Sequence, residues 1–160
     1  LDTVRLERAL AVALDRDPSD VEAWVLGEHG EAQVPAWSRS LVDGRPVARF
    51  LDEPARRRLA DRTRDAAWQI RRTQPGTWWG VTACAEAILV ALRGGASLRR
   101  PLGLPTSGAW ASRLNHEGLV LGLPAEVDAR GCRLIQDFPL DSAEEAALRS
   151  AADLLAEAQR

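Results

Sequence analysis

Residues that could move a proton and hold an anion occur near the start of the chain. His29 lies between Gly27 and Gly30, where the backbone can approach a ligand and the imidazole can project into a cleft. Asp2 and Arg5 stand three residues apart in a predicted helix, so their side chains share roughly one face. A carboxylate within reach of His29 would orient the imidazole and stabilise its protonated form, and a guanidinium could bind a substrate carboxylate. Together these residues predict a proton-transfer site for an anionic small molecule.

Each of these features also has a plain structural interpretation. A histidine in a glycine-rich loop often only bonds a neighbouring carbonyl group. An Asp–Arg pair at this spacing on a helix is usually a solvated ion pair that contributes a fraction of a kcal/mol. Both alternatives stay open for His29 and for the Asp2–Arg5 pair taken separately. The catalytic interpretation therefore depends on whether the fold brings the three side chains together.

Four helices are predicted from apolar periodicity and capping residues. The first covers 2–15 with Asp2 as its N-cap, the second opens at Glu53 and Pro54, and the third follows the N-cap Thr77 and runs to about residue 92. The third helix is nearly all apolar, and we expect it to be central. The fourth begins at a capping box, 142–145, with Ser142 as the cap. The predicted buried faces of the other three helices are Leu6, Leu10, Ala13 and Leu14; Leu59, Thr63, Ala66, Ala67 and Ile70; and Leu148, Ala151, Ala152 and Leu155.

Short strands alternate with these helices. A strand at 21–26 leads to the glycine-framed histidine, and 42–47 has the pattern of a hairpin turn. Two further strands, 119–127 and 132–138, flank a turn at 128–131. The mixture predicts an α+β fold, an antiparallel meander-like sheet with several packed helices.

Composition limits the classes of protein to which the chain can belong. With 160 residues, 46% of them hydrophobic, it can bury the core of one domain, which excludes a disordered chain. Its 21 basic and 23 acidic side chains leave a net charge of −2, so no overall attraction to nucleic acid or to an anionic membrane is expected. Cys84 and Cys132 are isolated and predict buried free thiols rather than a disulfide or a metal site. No apolar run is long enough to span a bilayer, and we expect a cytoplasmic protein.

Two further features are assigned to the surface. The many arginines between 56 and 72 are interleaved with Asp61 and Asp65 and have no aromatic platform beside them, so they favour a solvated or subunit-contacting helix over a nucleic-acid site. His116 lies in a polar loop segment with no evident partner.

Several segments resemble the catalytic half of the L-lactate and malate dehydrogenase family. The sequence LDTVR at 1–5 and the sequence VLGEHGEAQVPAWS at 25–38 carry the likeness, and His29 follows Asp2 by 27 positions, which agrees with the spacing in that family. Weaker matches follow in order at 76–81, at 121–127 and from Pro139 to the closing helix. The resemblance covers almost the whole chain.

The resemblance implies a role for each candidate residue. His29 would be the proton donor and acceptor, Asp2 its supporting carboxylate and Arg5 the clamp on the substrate carboxylate. Thr77 matches the position beside the substrate side chain, and Val81 matches the apolar position against the nicotinamide ring. For Thr77 an N-cap, and for Val81 a core position, is the plain alternative. The implied cofactor is NAD, the implied substrate is a small 2-hydroxy or 2-oxo acid, and the implied assembly is a homo-oligomer, a dimer or tetramer.

The chain departs from the family pattern at several points. Glu31 and Ala32 stand where the family usually has Asp-Ser, and none of the 12 glycines forms the GxGxxG pattern of a dinucleotide-binding loop. Since the chain also begins at Leu1 without Met, we expect residues 1–160 to be a catalytic, substrate-binding domain that works with its own dinucleotide-binding domain. A non-catalytic assembly module is the alternative if the chain is complete.

The branch within the family rests on secondary hints. Glu28 before the histidine, and Val81 rather than proline, resemble the lactate branch, whereas the block 27–35 also resembles lactate-like malate dehydrogenases. Some lactate dehydrogenases of the family bind a sugar bisphosphate through an arginine and a histidine. The corresponding positions here are Glu7 and Glu22, which predicts an enzyme that fructose 1,6-bisphosphate does not activate.

Overall fold

The computed structural model describes residues 1–159, which form five α-helices, three 3₁₀-helices of three residues each and eight strands. The helices are α1 (Asp2–Leu14), α2 (Glu53–Arg71), α3 (Trp78–Leu92), α4 (Ala109–Leu114) and α5 (Ser142–Ala158). The strands are β1 (Val21–Glu22), β2 (Val25–Gly27), β3 (Gln33–Pro35), β4 (Leu41–Val42), β5 (Arg45–Pro46), β6 (Leu98–Pro105), β7 (Val120–Asp128) and β8 (Gly131–Leu134). All strand pairs are antiparallel, so the predicted α+β class is confirmed.

The strands form two sheets. A small sheet has the order β1-β4-β5, and a larger one has the order β3-β2-β7-β6, with β8 also on β7. The strand predicted at 21–26 is therefore two strands, β1 and β2, which belong to different sheets and are joined through Ala23 and Trp24. The predicted hairpins at 42–47 and around 128–131 are both present, as β4-β5 and β7-β8.

Strand β6 is an addition that the sequence did not predict. It pairs with β7 over eight residues although it contains Pro101 and Pro105. Within the described chain β6 is an edge strand, and an edge tolerates the missing N–H of proline.

The core has two parts. One lies between β2, β3, β7, α4 and α5 around Trp110, Leu123 and Leu148, and the other lies under α1 around Leu6, Leu10 and Val42. In α1, Ala13 is exposed and Ala11 is buried in its place. Two predicted caps shift by one position: Leu1 precedes α1, so Asp2 is its first residue, and the capping box of α5 uses Asp141 and Glu144 rather than Ser142.

Helix α3 is not central, contrary to its apolar composition. Only Ala91 is buried in it, and the side chains of Trp78, Trp79, Val81 and Leu89 are among those that face outward. No element among residues 1–159 covers this surface. The cysteines also differ from expectation, since Cys84 is only half-buried and Cys132 is exposed. Both are free thiols. Within 1–159 no helix has the length and apolarity needed to cross a membrane.

Candidate active site

The first turn of α1 and the loop after β2 bring Asp2, Arg5 and His29 together. Oδ2 of Asp2 is 2.5 Å from Nδ1 of His29, and Oδ1 of the same carboxylate accepts a hydrogen bond of 3.1 Å from Nη1 of Arg5. The carboxylate is thus held from both sides. The fold thus brings the three side chains together, which is the condition that the catalytic interpretation requires.

Local backbone geometry explains how His29 reaches the helix. Gly27 ends β2 with φ of +86°, a conformation that side chains with a Cβ rarely adopt. A Cβ there would also lie 3.1 Å from the carbonyl oxygen of Ala32. The chain can therefore turn sharply after β2, and His29 follows two residues later. Glycine at position 27 serves the turn that delivers the imidazole.

The three side chains differ in exposure in a way that suits proton transfer. The side chains of Asp2 and Arg5 are 15% and 12% exposed, whereas that of His29 is 69% exposed. Because Asp2 occupies Nδ1, the other ring nitrogen, Nε2, is the one that can meet a reactant. A shielded carboxylate behind an accessible imidazole is the arrangement that fixes a tautomer and stabilises an imidazolium.

A cleft of about 220 Å³ opens beside this group. Its walls are the loop after His29, through Gly30, Glu31 and Gln33, and one face of α2, through Arg64, Ala67, Trp68 and Arg71. The cleft is smaller than those that hold drug-sized ligands. Its size and its arginine-rich wall match a small anionic molecule.

The loop after His29 is held to α2 by an ion pair. Oε2 of Glu31 lies 3.4 Å from Nε of Arg64. The Arg64 guanidinium also pairs with Asp61 at 3.0 Å and with Asp65 at 3.5 Å. Glu31 is one of the departures from the family pattern, and here it ties the histidine loop to the opposite wall of the cleft. Trp68 and Arg71 were not predicted as cleft residues. Arg71 follows Ala67, which lies on the predicted inner face, by four residues, and that spacing is the signal that could have found it. Trp68 directly follows Ala67, so the spacing gave no such signal for it.

Thr77 and Val81 lie apart from the histidine. Thr77 lines a neighbouring cleft of about 390 Å³ together with Arg5, Ile70 and Gly80, so Arg5 is shared between the two clefts. As expected, Thr77 is the N-cap of α3, but its side chain makes no capping hydrogen bond. Val81 is 53% exposed and lines neither cleft, so it is not a core residue either.

The second histidine forms a similar pair elsewhere. Nε2 of His116 is 2.8 Å from Oδ1 of Asp153 on α5, and the His116 side chain is only 22% exposed. The expectation of a surface histidine without a partner is therefore wrong. Across the described chain, no group of three or more His, Cys, Asp or Glu side chains is placed to hold a metal ion.

Known proteins match this chain over all of its described residues. The model of the lactate/malate dehydrogenase, alpha/beta C-terminal domain family matches residues 1–159. L-lactate dehydrogenase 1 of Listeria innocua is 31% identical over 158 residues, which cover 97% of this chain and 49% of that protein.

Among solved structures, the minor L-lactate dehydrogenase of Enterococcus mundtii is 28% identical with a TM-score of 0.87, over 98% of this chain and 50% of that one. The malate dehydrogenase of Salinibacter ruber is 25% identical with a TM-score of 0.81, again over 98% and 50%. The chain thus spans about half the length of the relatives that it matches.

Proposed function

Because the chain belongs to the lactate/malate dehydrogenase family, as its alpha/beta C-terminal domain, we propose that it is the catalytic, substrate-binding half of an NAD-dependent L-2-hydroxy acid dehydrogenase that interconverts L-lactate and pyruvate. The observation that carries the proposal is the Asp2 carboxylate, which contacts His29 through one oxygen and Arg5 through the other. A base, its supporting carboxylate and a cation for the substrate are the groups that this reaction requires.

His29 and Asp2 handle the proton. In the oxidation direction, Nε2 of His29 takes the proton of the substrate hydroxyl group while Asp2 stabilises the imidazolium through Nδ1. In the reduction direction the same nitrogen returns the proton to the carbonyl oxygen. In the neutral imidazole the Nδ1–Asp2 contact favours the proton on Nδ1, which leaves Nε2 as the acceptor for the hydroxyl proton.

Arg5 holds the substrate. It uses Nη1 on Asp2, and the guanidinium has further N–H donors that can bind the two oxygens of a carboxylate. Because Arg5 lies on the same face as Asp2, a carboxylate bound to it would lie next to the imidazole. Orientation of this kind is a large part of the rate gain in reactions between bound groups.

The residues of this chain suit the nicotinamide ring of NAD but not its phosphate groups. Val81 presents an exposed apolar side chain next to Gly80, a surface on which a flat ring can lie, whereas the sequence has no glycine-rich phosphate-binding loop. When bound, NAD supplies the acceptor for the hydride that leaves the substrate carbon. The exposed apolar side of α3 is where the dinucleotide-binding domain of the same enzyme would pack, within a homo-oligomer.

Lactate is the proposed substrate because Glu28 and Val81 resemble the lactate branch and because L-lactate dehydrogenases are among the matched relatives. Malate is the second candidate. It is favoured by the fit to the Salinibacter ruber malate dehydrogenase, whose matched half has the same fold at 25% identity.

The test uses the intact protein, with its cofactor-binding half, and follows NADH oxidation with pyruvate and with oxaloacetate. We expect pyruvate to be preferred, and a clear preference for oxaloacetate assigns the enzyme to malate instead. His29→Ala is expected to lower turnover by about 10²–10⁴-fold, the usual contribution of general acid–base catalysis. His116→Ala is the matched control, since it removes the other histidine of an Asp–His pair. The catalytic assignment is wrong if His29→Ala keeps more than about a tenth of wild-type turnover.

A further inference from the structure

A short stretch of backbone before the histidine loop lies at a sheet edge that no strand among residues 1–159 covers. Strand β2 pairs with β3 on one side, but on the other side it meets β7 only at Gly27. The N–H groups of Ala23 and Val25 point away from β3, since the Ala36 N–H bonds to the carbonyl of Trp24 between them. Ala23 and Val25 are 0% and 7% exposed, so water does not satisfy these donors. A buried N–H without an acceptor would cost about 1–3 kcal/mol.

Two side chains of α1 accept the hydrogen bonds that a neighbouring strand would otherwise accept. The Val25 N–H donates to Oγ1 of Thr3 at 3.1 Å, and the Ala23 N–H donates to Oε1 of Glu7 at 3.3 Å. Thr3 and Glu7 are themselves buried, at 4% and 7% exposure. Glu7 also lies 3.4 Å from Arg100 on β6.

The spacing of the two contacts matches the geometry of both elements. Residues four apart on a helix rise by about 6 Å along its axis, and residues two apart on a strand are about 6.6 Å apart. Thr3 and Glu7 can therefore meet Val25 and Ala23 together only when α1 has one particular position along the 23–25 backbone. A slide of one residue would break both hydrogen bonds.

This register also sets the distance between the catalytic groups. Asp2 directly precedes Thr3, and His29 follows Val25 by four residues through β2 and the Gly27 turn. Arg5 lies between Thr3 and Glu7 on α1. The two hydrogen bonds are thus the buried polar links between the element that carries Asp2 and Arg5 and the strand that leads to His29.

We propose that Thr3 and Glu7 are positioning residues that fix α1 against the 23–25 backbone and thereby hold the Asp2 carboxylate on Nδ1 of His29. The inference rests on the proposed dehydrogenase function for its kinetic test but not for its spectroscopic one. Burial raises the pKa of the Glu7 carboxyl, whereas Arg100 and the Ala23 N–H lower it. Its acceptor oxygen remains in either protonation state.

The kinetic test compares Thr3→Val, Thr3→Ser and Thr106→Val in the intact enzyme. Valine keeps the volume and removes the acceptor, whereas serine keeps the oxygen. Thr106 is the matched control, because it is 1% exposed, its Oγ1 accepts the Leu119 N–H at 3.0 Å, and it does not line the cleft beside His29. We expect Thr3→Val to lower kcat about 10–100-fold, since misplacement by about 1 Å can cost 10²-fold. Thr3→Ser should stay within about threefold of wild type, and Thr106→Val should lower stability while leaving kcat intact.

Glu7 is tested in the same way with Glu7→Gln, which keeps an acceptor oxygen, and Glu7→Leu, which removes it. We expect the glutamine variant to stay within about threefold of the wild-type kcat and the leucine variant to fall with Thr3→Val. Unfolding midpoints of all variants are measured alongside, so that each assay is made on folded protein.

The spectroscopic test reads His29 directly through the ¹⁵N and ¹H signals of its ring in the intact protein. We expect the Nδ1-protonated tautomer of His29 to dominate in wild type and Thr3→Ser. In Thr3→Val we expect a mixture of the Nδ1- and Nε2-protonated tautomers. The positioning role is overturned if Thr3→Val leaves the His29 signals unchanged or loses no more kcat than Thr106→Val. If wild type has no dehydrogenase activity with any 2-hydroxy acid, the proposed function fails, and the ring signals still decide the positioning role.

Discussion

Replacement of Asp2 by asparagine tests the site most directly, because it exchanges one carboxylate oxygen for an amide nitrogen and keeps the shape. In the wild type one oxygen of Asp2 accepts from Arg5 and the other faces Nδ1 of His29. An asparagine has one oxygen and one NH₂ group, and it must place the NH₂ on one of these partners. If the NH₂ faces Arg5, two donors meet; if it faces His29, Nδ1 must become an acceptor. Either orientation breaks the arrangement.

The second orientation is favoured, because Arg5 cannot give up its protons whereas an imidazole can change tautomer. The proton then moves to Nε2, the nitrogen that must accept the hydroxyl proton. With position 2 only 15% exposed, water has little room to relieve the mismatch. A wrong-tautomer histidine costs up to about 10⁴-fold in a serine protease triad, so we expect Asp2→Asn to lower kcat by about 10²–10⁴-fold.

The assay is turnover of the intact enzyme in both directions at saturating cofactor, with kcat and KM separated. We expect kcat to carry most of the loss, since Arg5 still faces the substrate carboxylate. Asp153→Asn is the matched control, because Asp153 holds His116 in the other Asp–His pair at 2.8 Å. The reasoning is refuted if Asp2→Asn stays within about threefold of wild type or loses no more than the control.

Three other outcomes follow from the structure. Arg5→Lys is expected to raise KM about 10–100-fold, because lysine cannot bind a carboxylate with two parallel hydrogen bonds. Steady-state kinetics measures the KM, and an unchanged KM contradicts the role of Arg5. Glu145→Gln is expected to lower stability at neutral pH by about 1–3 kcal/mol, because Arg113 donates to both Glu145 oxygens and lowers the pKa of that carboxyl. A lowered pKa gives stability above the ordinary glutamate value that is lost as the pH falls, so urea unfolding should show the difference shrinking below about pH 4. Fructose 1,6-bisphosphate should leave the substrate half-saturation unchanged, since Glu7 is a carboxylate buried on the Ala23 N–H; a several-fold drop contradicts this.

Features of the fold that depend on local patterns were predictable. Helical apolar periodicity and capping residues predicted the helices α1, α2 and α5, and turn residues predicted the β7-β8 hairpin, within a few residues. Features that depend on partners were not. Strand β6 was missed because its prolines argue against a strand, and only its place at the edge of the described sheet makes them acceptable.

The candidate site divides in the same way. The chemistry of Asp2, Arg5 and His29 could be argued from residue types, but nothing local in the sequence joins positions 2 and 29. That link came from the family resemblance, and in the structure it is a single carboxylate contact. Thr3 and Glu7 gave no signal of a positioning role, because a threonine and a glutamate in a helix are ordinarily taken as exposed residues. Their role becomes visible only when the uncovered N–H groups of Ala23 and Val25 are followed to their acceptors.

Helix α3 shows what apolar content does and does not indicate. Its mean composition predicts burial, yet Trp79, Val81 and Leu89 are 72%, 53% and 59% exposed. The hydrophobic effect favours removal of such surface from water by whatever lies against it, whether a neighbouring element or a separate body. The composition of α3 therefore predicts that its burial is favourable. Only the fold shows that residues 1–159 leave the apolar surface of α3 exposed. In the proposed enzyme this exposure has a use. If α3 were buried in the core of this domain, it could not pack against a cofactor-binding domain next to Thr77 and Arg5.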